Sequence, residues 1–338
     1  MKQITIHNER ARRDTDGEIV DCHEPCIERF KGRYYMFGMG YANNTGWTED
    51  NKMTCYSSPD LVTWTRHEPL ATDVRICIPC VKYNAKTGLY VMWYSQDRQY
   101  YTAVSDRPEG PYRDPQPTEL QGPGAGDFSL FQDDDGTAYI AWTCSYGDRS
   151  QPEKMHQIRI ERLTDDYRNG SGEAIGPLDW NCEAPVLLRR ADTYYLLYDN
   201  TCCWCSAGTG CRVYTASDPL GPYEYRGDIN REAEDDPRKI VSENTDTKPG
   251  DGRPDVIIPM QTRRAVEIET ADGPAWILIG DLWGSNEDGW KGHDRVYFTS
   301  PLQFDEDGMI HKLQYESEWS VQLADDETEA DEVKAAAK

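Results

Sequence analysis

The 338-residue sequence has little positive charge and lacks a long hydrophobic run. No stretch of about 18 apolar residues occurs, which excludes a membrane-spanning helix. The 36 lysines and arginines are outnumbered by 60 aspartates and glutamates, giving a net charge of −24. Such a surface repels nucleic acid, anionic membranes and polyanionic substrates. The composition therefore favours a neutral partner and leaves the oligomeric state open.

The N-terminus lacks the apolar core of a secretion signal, because residues 1–10 read MKQITIHNER. This absence predicts a cytoplasmic location. Eleven cysteines are present, but disulfides are not the default in that compartment. Cys77 and Cys80 have metal-ligand spacing, yet no second CxxC lies at a zinc-ribbon distance. Buried thiols are therefore favoured over a zinc site.

One sequence pattern, typical of a β-hairpin, recurs along the chain. It consists of a short apolar strand, a polar turn and an aromatic strand that returns antiparallel, most clearly over residues 183–198. In three copies an acidic residue stands three positions before the first apolar residue of the strand. The copies begin at Glu24, Ile78, Asp127 and Glu183, with a more stretched fifth copy near Asp255.

A second sequence pattern follows each hairpin: a strand, a Ser/Thr-Asp/Pro turn and an aromatic strand. Its copies begin at Tyr56, Val104, Arg162, Ala216 and Phe298. Two hairpins make a four-stranded unit, and five such units buried against one another in a ring form a propeller. The sequence thus predicts an all-β fold, a five-bladed β-propeller of four-stranded antiparallel blades, over a β-sandwich. We expect one domain over residues 1–323 and an acidic, flexible tail over 324–338.

The innermost strands of a propeller run along its axis, so their first residues converge on one mouth. Glu24, Asp127 and Glu183 would then meet in a single funnel. Crowded, partly desolvated carboxylates shift one another's pKa, so one can stay protonated while another stays ionised. Inverting glycosidases need such a pair about 6.5–9.5 Å apart. Carboxylates from different blades suit that spacing.

Other residues near this mouth are candidate sugar contacts or axial ligands. Aromatic side chains offer stacking faces to a sugar. A structural Ca²⁺ on the axis stays an alternative to a site without metal, and no other cofactor is expected. The assigned substrate-binding residues are His23, Trp204, Asp281 and Trp283.

These segments resemble glycoside hydrolase family 43 and related five-bladed propeller glycosidases. Glu24-Pro25 resembles that family's Asp-Pro opening, which implies a general base. The segment around Asp127 resembles the one whose Asp tunes the acid's pKa and orients it. Cys182-Glu183-Ala184-Pro185-Val186 resembles the Glu-Ala-Pro segment, which implies that Glu183 is the general acid.

The fifth blade resembles the exo-β-1,3-galactanase branch at Gly280-Asp281-Leu282-Trp283 and at residues 304–308. The chain departs from that branch in having an opening acid and in carrying Cys77-Ile78-Pro79-Cys80 in place of a Glu-Arg-Pro-Lys segment. Where the branch has a Gln before the fifth-blade strand, we align Arg253-Pro254-Asp255. Asp21 and Asp255 therefore stay as alternative bases.

The leading hypothesis is an inverting, exo-acting glycosidase for a neutral arabinoside, xyloside or galactoside. Glu183 would protonate the leaving oxygen, Glu24 would activate water and Asp127 would keep Glu183 acidic. A carbohydrate-binding propeller without hydrolysis is the alternative. A metal- or redox-dependent activity of the cysteines is the least favoured. Fold alone does not decide among them.

Overall fold

The computed structural model describes residues 1–48, 51–68, 77–122, 124–144, 156–179, 182–199, 206–232 and 255–324. Trp204 and residues 325–338 of the predicted tail lie outside these ranges. Within the described ranges, none of the helices has the length and hydrophobicity to cross a lipid bilayer.

The described chain forms five antiparallel sheets, each built from strands consecutive in sequence except at the chain ends. The first sheet contains β2 (His23–Phe30), β3 (Arg33–Gly40), β4 (Lys52–Ser58) and β5 (Thr65–Arg66). The second contains β6 (Cys77–Asn84), β7 (Leu89–Gln96), β8 (Gln99–Ser105) and β9 (Arg113–Pro117). The third contains β10 (Phe128–Gln132), β11 (Ala138–Cys144), β12 (Gln157–Leu163) and β13 (Gly170–Ile175). The fourth contains β14 (Glu183–Arg190), β15 (Thr193–Asp199), β16 (Arg212–Ala216) and β17 (Glu224–Asp228). The fifth contains β18 (Gln261–Thr270), β19 (Gly273–Leu282) and β20 (Arg295–Phe298), joined by β1 (Lys2–His7) and β21 (Glu318–Leu323).

The first strand of each repeat lies innermost and the five innermost strands close a ring. β2 contacts β6, β6 contacts β10, β10 contacts β14, β14 contacts β18 and β18 contacts β2. Apolar side chains on both faces of each sheet are buried against the neighbouring sheets. The predicted all-β, five-bladed propeller is therefore confirmed. A two-sheet sandwich is excluded, because its sheets would not form a closed ring.

The N- and C-terminal strands complete the ring between the fifth and first blades. β1 pairs with β21 along its whole length, and β21 meets β18 at Thr270 and Leu323. The Trp319 side chain is buried here, in one cluster with apolar residues of β1, β2 and β18. Its Nε1 donates a hydrogen bond to the Phe298 carbonyl at 2.9 Å.

Proline shapes the start of three innermost strands. Pro25, Pro79 and Pro185 lack the N–H that a strand ladder needs, and each lies where the ladder with the next strand shifts register. The residues just before them, Glu24, Ile78 and Ala184, have φ of 52°, 57° and 50°. These β-bulges redirect the side chains at the heads of the strands.

We predict that Trp319→Ala lowers the free energy of unfolding by about 3–5 kcal/mol, because it removes a large buried side chain that joins the chain termini to the core. Chemical denaturation measures this loss. The matched control is Trp47→Ala, since Trp47 is 47% exposed, and it should change stability by less than about 0.5 kcal/mol. Equal stability of the two variants would contradict closure by the terminal strands.

Candidate active site

Three carboxylates predicted from the sequence lie at the heads of three innermost strands. Glu183 opens β14, Glu24 lies in the bulge of β2, and Asp127 directly precedes β10. Glu24 is 8% exposed, and Asp127 and Glu183 are partly buried. The structure thus places all three carboxylates at the same end of the innermost strands.

Arg263 connects two of these acids. Its Nη1 lies 2.5 Å from Asp127 Oδ2, and its Nη2 lies 3.4 Å from Glu24 Oε1. The guanidinium also reaches Asp281, with Nε at 3.2 Å from Oδ2. A planar guanidinium with five N–H donors can serve several carboxylates at once. Arg263 is 2% exposed, so the pairing occurs away from bulk water.

Gln261 links this cluster to Glu183. Its Oε1 accepts hydrogen bonds from Arg263 Nη2 at 2.7 Å and from Trp283 Nε1 at 2.9 Å. Because two donors fix the oxygen, the amide nitrogen must point the other way. It lies 3.5 Å from Glu183 Oε2. The second carboxyl oxygen of Glu183 faces His156 Nδ1 at 3.0 Å.

Burial and mutual charge shift the pKa values in this cluster. Burial raises the pKa of Glu24 to about 7; Arg263 opposes the rise, while Asp127 and Asp281 add to it. Burial also raises the pKa of Asp127, against the opposing charge of Arg263 and with the help of Glu183. Burial thus favours the protonated form of Glu24 and of Asp127, while Arg263 favours their ionised form.

Three of the predicted substrate-binding residues lie behind the acids. His23 and Asp281 are fully buried and face each other, with His23 Nδ1 at 3.2 Å from Asp281 Oδ1. Trp283 is 2% exposed and packs beside the His23 ring at 5.5 Å between centroids. Asp281 Oδ2 accepts the backbone N–H of Glu24 at 3.0 Å. In this structure the three residues hold the acids in place, and their contact with sugar stays a prediction.

The alternative bases have partners of their own. Asp21 accepts the backbone N–H groups of Tyr41 at 2.9 Å and Ala42 at 2.7 Å. Asp255 pairs with Arg231, its Oδ2 lying 2.5 Å from Nη2. Glu24 differs, because its Oε2 is buried and has no hydrogen-bond partner among the described residues. Of the three candidates, Glu24 best fits a group that binds a water.

The prediction that the three acids occupy the same position in the innermost strands of their blades is wrong. Glu183 pairs directly with Asp199, whereas Glu24 lies inside its bulge, so its counterpart in β14 is Ala184. Asp127 precedes a strand whose ladder with β11 has no shift. The three carboxylates thus reach the cluster from different ladder positions, and only Glu24 lies inside a bulge.

The expected start of the fifth copy near Asp255 is also wrong, because the innermost strand β18 begins at Gln261. Residues 255–258 instead pack against the end of the fourth blade, where Ile257 N donates to Asn230 O. Gln261 and Arg263 were therefore missed as site residues. The available signal was the apolar alternation of Val266 and Ile268, which leads back to Arg263-Arg264 at a strand head.

A loop of the fifth blade closes one side of the mouth. The 3₁₀ turn Lys291–His293 lies against the first blade, with Lys291 N donating to Asn44 O and Gly292 N to Ala42 O. A Cβ at Gly292 would lie 2.5 Å from Ala42 O, so only glycine permits this approach. Lys291 Nζ lies 4.0 Å from the centre of the Trp283 ring.

We predict that Arg263→Met lowers the free energy of unfolding by about 3–5 kcal/mol, since it leaves buried carboxylates without their cation. Arg226→Met is the matched control: Arg226 pairs with Glu224 on the surface and should cost about 1 kcal/mol or less. Urea denaturation at pH 8, where the carboxyls ionise, compares them. A loss for Arg263→Met as small as the control's would show that the cluster does not depend on the guanidinium.

Comparison with known proteins agrees with this geometry. The family model described as glycosyl hydrolases family 43 matches residues 18–310. A beta-D-galactofuranosidase of Aspergillus niger is 25% identical over 262 residues, which cover 70% of each chain.

Solved structures share the fold. An exo-beta-1,3-galactanase from Phanerochaete chrysosporium, solved with galactose, matches with a TM-score of 0.71 at 22% identity. The match covers 95% of this chain and 71% of the galactanase chain. An exo-beta-1,3-galactanase from Clostridium thermocellum matches with a TM-score of 0.73 at 19% identity, and the match covers 96% of this chain and 69% of the Clostridium chain. With the family match spanning most of the sequence, the chain belongs to glycosyl hydrolases family 43.

Proposed function

We propose that this glycoside hydrolase removes a terminal sugar from a neutral glycan by a single displacement that inverts the anomeric centre. The observation that carries the proposal is the cluster in which Arg263 and Gln261 join Glu24, Asp127 and Glu183. Two carboxyls connected through a guanidinium and an amide, and not by a direct hydrogen bond, leave room for the water that inversion requires.

Glu183 is the general acid of this proposal. Gln261 Nε2 donates to one of its carboxyl oxygens at 3.5 Å and His156 Nδ1 lies 3.0 Å from the other, so both oxygens have neighbours that restrict the orientation of the carboxyl. A fixed carboxyl can deliver its proton to the glycosidic oxygen as the bond breaks. Arg263 favours the ionised form of Asp127, and the charge of an ionised Asp127 favours retention of a proton on Glu183 because like charges repel.

Glu24 is the general base. Its Oε1 faces Arg263, and its buried Oε2 has no hydrogen-bond partner among the described residues. That oxygen can accept a hydrogen bond from a water that attacks the anomeric carbon. Ionised Glu24 takes the proton from this water, and Arg263 stabilises the charge that the carboxylate carries beforehand.

The closed side of the mouth supports removal of a terminal sugar over cleavage within a chain. The Lys291–His293 turn joins the fifth blade to the first through backbone hydrogen bonds, and a glycan that extends beyond the terminal sugar would meet it on this side. A galactoside is the first substrate to test, because the galactofuranosidase and galactanases to which the chain is similar act on galactosyl units. Xylosides and arabinosides remain in the tested panel.

We predict that Glu183→Gln lowers kcat/KM by about 10²–10⁴-fold on a p-nitrophenyl glycoside that the wild type cleaves, since the leaving oxygen loses its proton donor. The loss should be much smaller on the dinitrophenyl glycoside of the same sugar, whose leaving group needs no proton. Initial rates over a panel of galactosides, xylosides and arabinosides measure both effects.

Glu173→Gln is the control for this substitution, because Glu173 lies on the surface and pairs with Arg162. It should keep wild-type rates. Equal rates for Glu183→Gln and the wild type would remove Glu183 from the mechanism. Sugar binding by the wild type without cleavage of any glycoside would favour a carbohydrate-binding propeller.

The pH profile tests Glu24. A base acts only when ionised, and Glu24 has a pKa of about 7. We therefore predict that kcat/KM rises with pH through about 7 and falls below it, as the carboxyl becomes protonated. Initial rates from pH 4 to 9 measure this limb. A rate that stays constant down to pH 5 would contradict the assignment of Glu24 as base.

A further inference from the structure

A pair of cysteines lies on the propeller axis, beyond the carboxylates. Cys26 and Cys80 are the first residues after the bulges of β2 and β6, so they hold equivalent positions in neighbouring blades. Both side chains are 1% exposed, and their Sγ atoms lie 2.8 Å apart. Neither is joined to another cysteine.

Two cations surround this pair. Arg264 is the first residue after the bulge of β18 that pairs with β19 again, and β18 belongs to the blade next to that of Cys26. Its Nη1 donates to the Arg263 carbonyl, but its buried Nε and Nη2 have no hydrogen-bond partner among the described residues. Lys82, two residues beyond Cys80 on the same strand face, pairs with Glu28 at 2.7 Å. Arg264 thus has two buried N–H groups that could donate to a thiolate.

The electrostatics favour one thiolate and one thiol. Burial alone raises the pKa of Cys80, but the hydrogen bond with Cys26 and the charges of Arg264 and Lys82 outweigh it and lower the pKa to about 7. Burial keeps the pKa of Cys26 well above the usual value. With Cys80 ionised, the charges of Cys80, Glu28, Lys82 and Arg264 cancel. A nucleophilic thiolate then faces a thiol.

A cavity gives access to this part of the axis. Its volume is about 510 Å³, and the innermost strands of all five blades line it, including Glu28, Lys82 and Arg264. Its lining residues lie further along the strands than Glu24, Asp127 and Glu183. The cavity thus reaches Glu28, Lys82 and Arg264, the charged neighbours of the cysteine pair, from the end of the axis opposite the carboxylates.

Cys26, Cys80 and Glu28 also bring three metal-ligand atoms within 4.8 Å of one another. Two thiolates on a tetrahedral zinc would lie about 3.8 Å apart, given Zn–S bonds of about 2.3 Å. The observed 2.8 Å is too short for that arrangement. Lys82 and Arg264 would also repel a cation. The geometry favours sulfur–sulfur chemistry over metal binding.

We propose that Cys26 and Cys80 form a reversible thiol–disulfide couple that links the first two blades beneath Glu24. With hydrogen peroxide as oxidant, the Cys80 thiolate attacks one oxygen and the other leaves as hydroxide, which takes a proton to become water. The Cys26 sulfur then attacks the resulting sulfenic acid, forming the S–S bond and expelling a second water that carries the Cys26 proton. Two thiols lose two electrons, and the peroxide gains them.

The test treats the folded full chain with hydrogen peroxide at pH 7.5, blocks remaining thiols with N-ethylmaleimide and maps unreduced peptides by mass spectrometry. We expect a Cys26–Cys80 cross-linked peptide to form first and to disappear with dithiothreitol. Cys55 on β4 and Cys211 directly before β16 are also buried but lie outside the innermost strands, and they are the internal reference. Oxidation of Cys26 and Cys80 no faster than of these two would overturn the proposal.

Variants separate the chemistry from the fold. Cys80→Ser should abolish the cross-link, and Cys211→Ser should keep it, with circular dichroism confirming that both fold. Arg264→Met should slow cross-linking roughly fivefold at pH 7 if it raises the thiol pKa by about one unit, with the difference disappearing at pH 10. An equal rate at pH 7 would remove the proposed role of Arg264. Stoichiometric zinc that protects both thiols from alkylation would overturn the disulfide in favour of a metal site.

Discussion

The candidate site depends on one buried cation. Arg263 stands among Glu24, Asp127 and Asp281 at the head of β18, and its charge opposes the burial that raises the pKa of Glu24 and of Asp127. The propeller makes this pairing possible, because residues 239 and 136 positions away in sequence arrive at the same point on the axis. The guanidinium thus joins the fifth blade to the first and third blades. It also partly neutralises the negative charge of the site.

Bulges shape the heads of the strands that carry Glu24 and Glu183. In a regular strand, a side chain at the head of the axis would alternate with its neighbours between the two sheet faces. The prolines at positions 25, 79 and 185 interrupt the ladder, and the residue before each takes a positive φ. Glu24 is one of these positive-φ residues, and its side chain points into the cluster. Glu183 instead reaches the cluster from the regular ladder position opposite Asp199. The same bulges place Cys26 and Cys80 side by side one step further along the axis.

The repeats predicted the five blades, because alternating apolar residues and turn chemistry are local signals. The three acids were also found, since each precedes a recognisable strand. Aligning Pro25 with Pro185 would have corrected the register and paired Glu24 with Ala184. The role of Arg263 could not be predicted in this way: a charged residue at a strand head resembles a solvent-exposed one, and the acids that neutralise it lie in other blades. Burial of charge is a property of the whole ring.

The central claim is that the cluster around Arg263 holds the bond to be broken. A crystal structure of the Glu183→Gln variant, soaked with a glycoside that the wild type cleaves, tests it most directly. The account predicts a terminal sugar in the mouth, with its glycosidic oxygen within hydrogen-bond distance of residue 183 and a water between Glu24 and the anomeric carbon. A sugar bound elsewhere, with the cluster empty, would contradict the account.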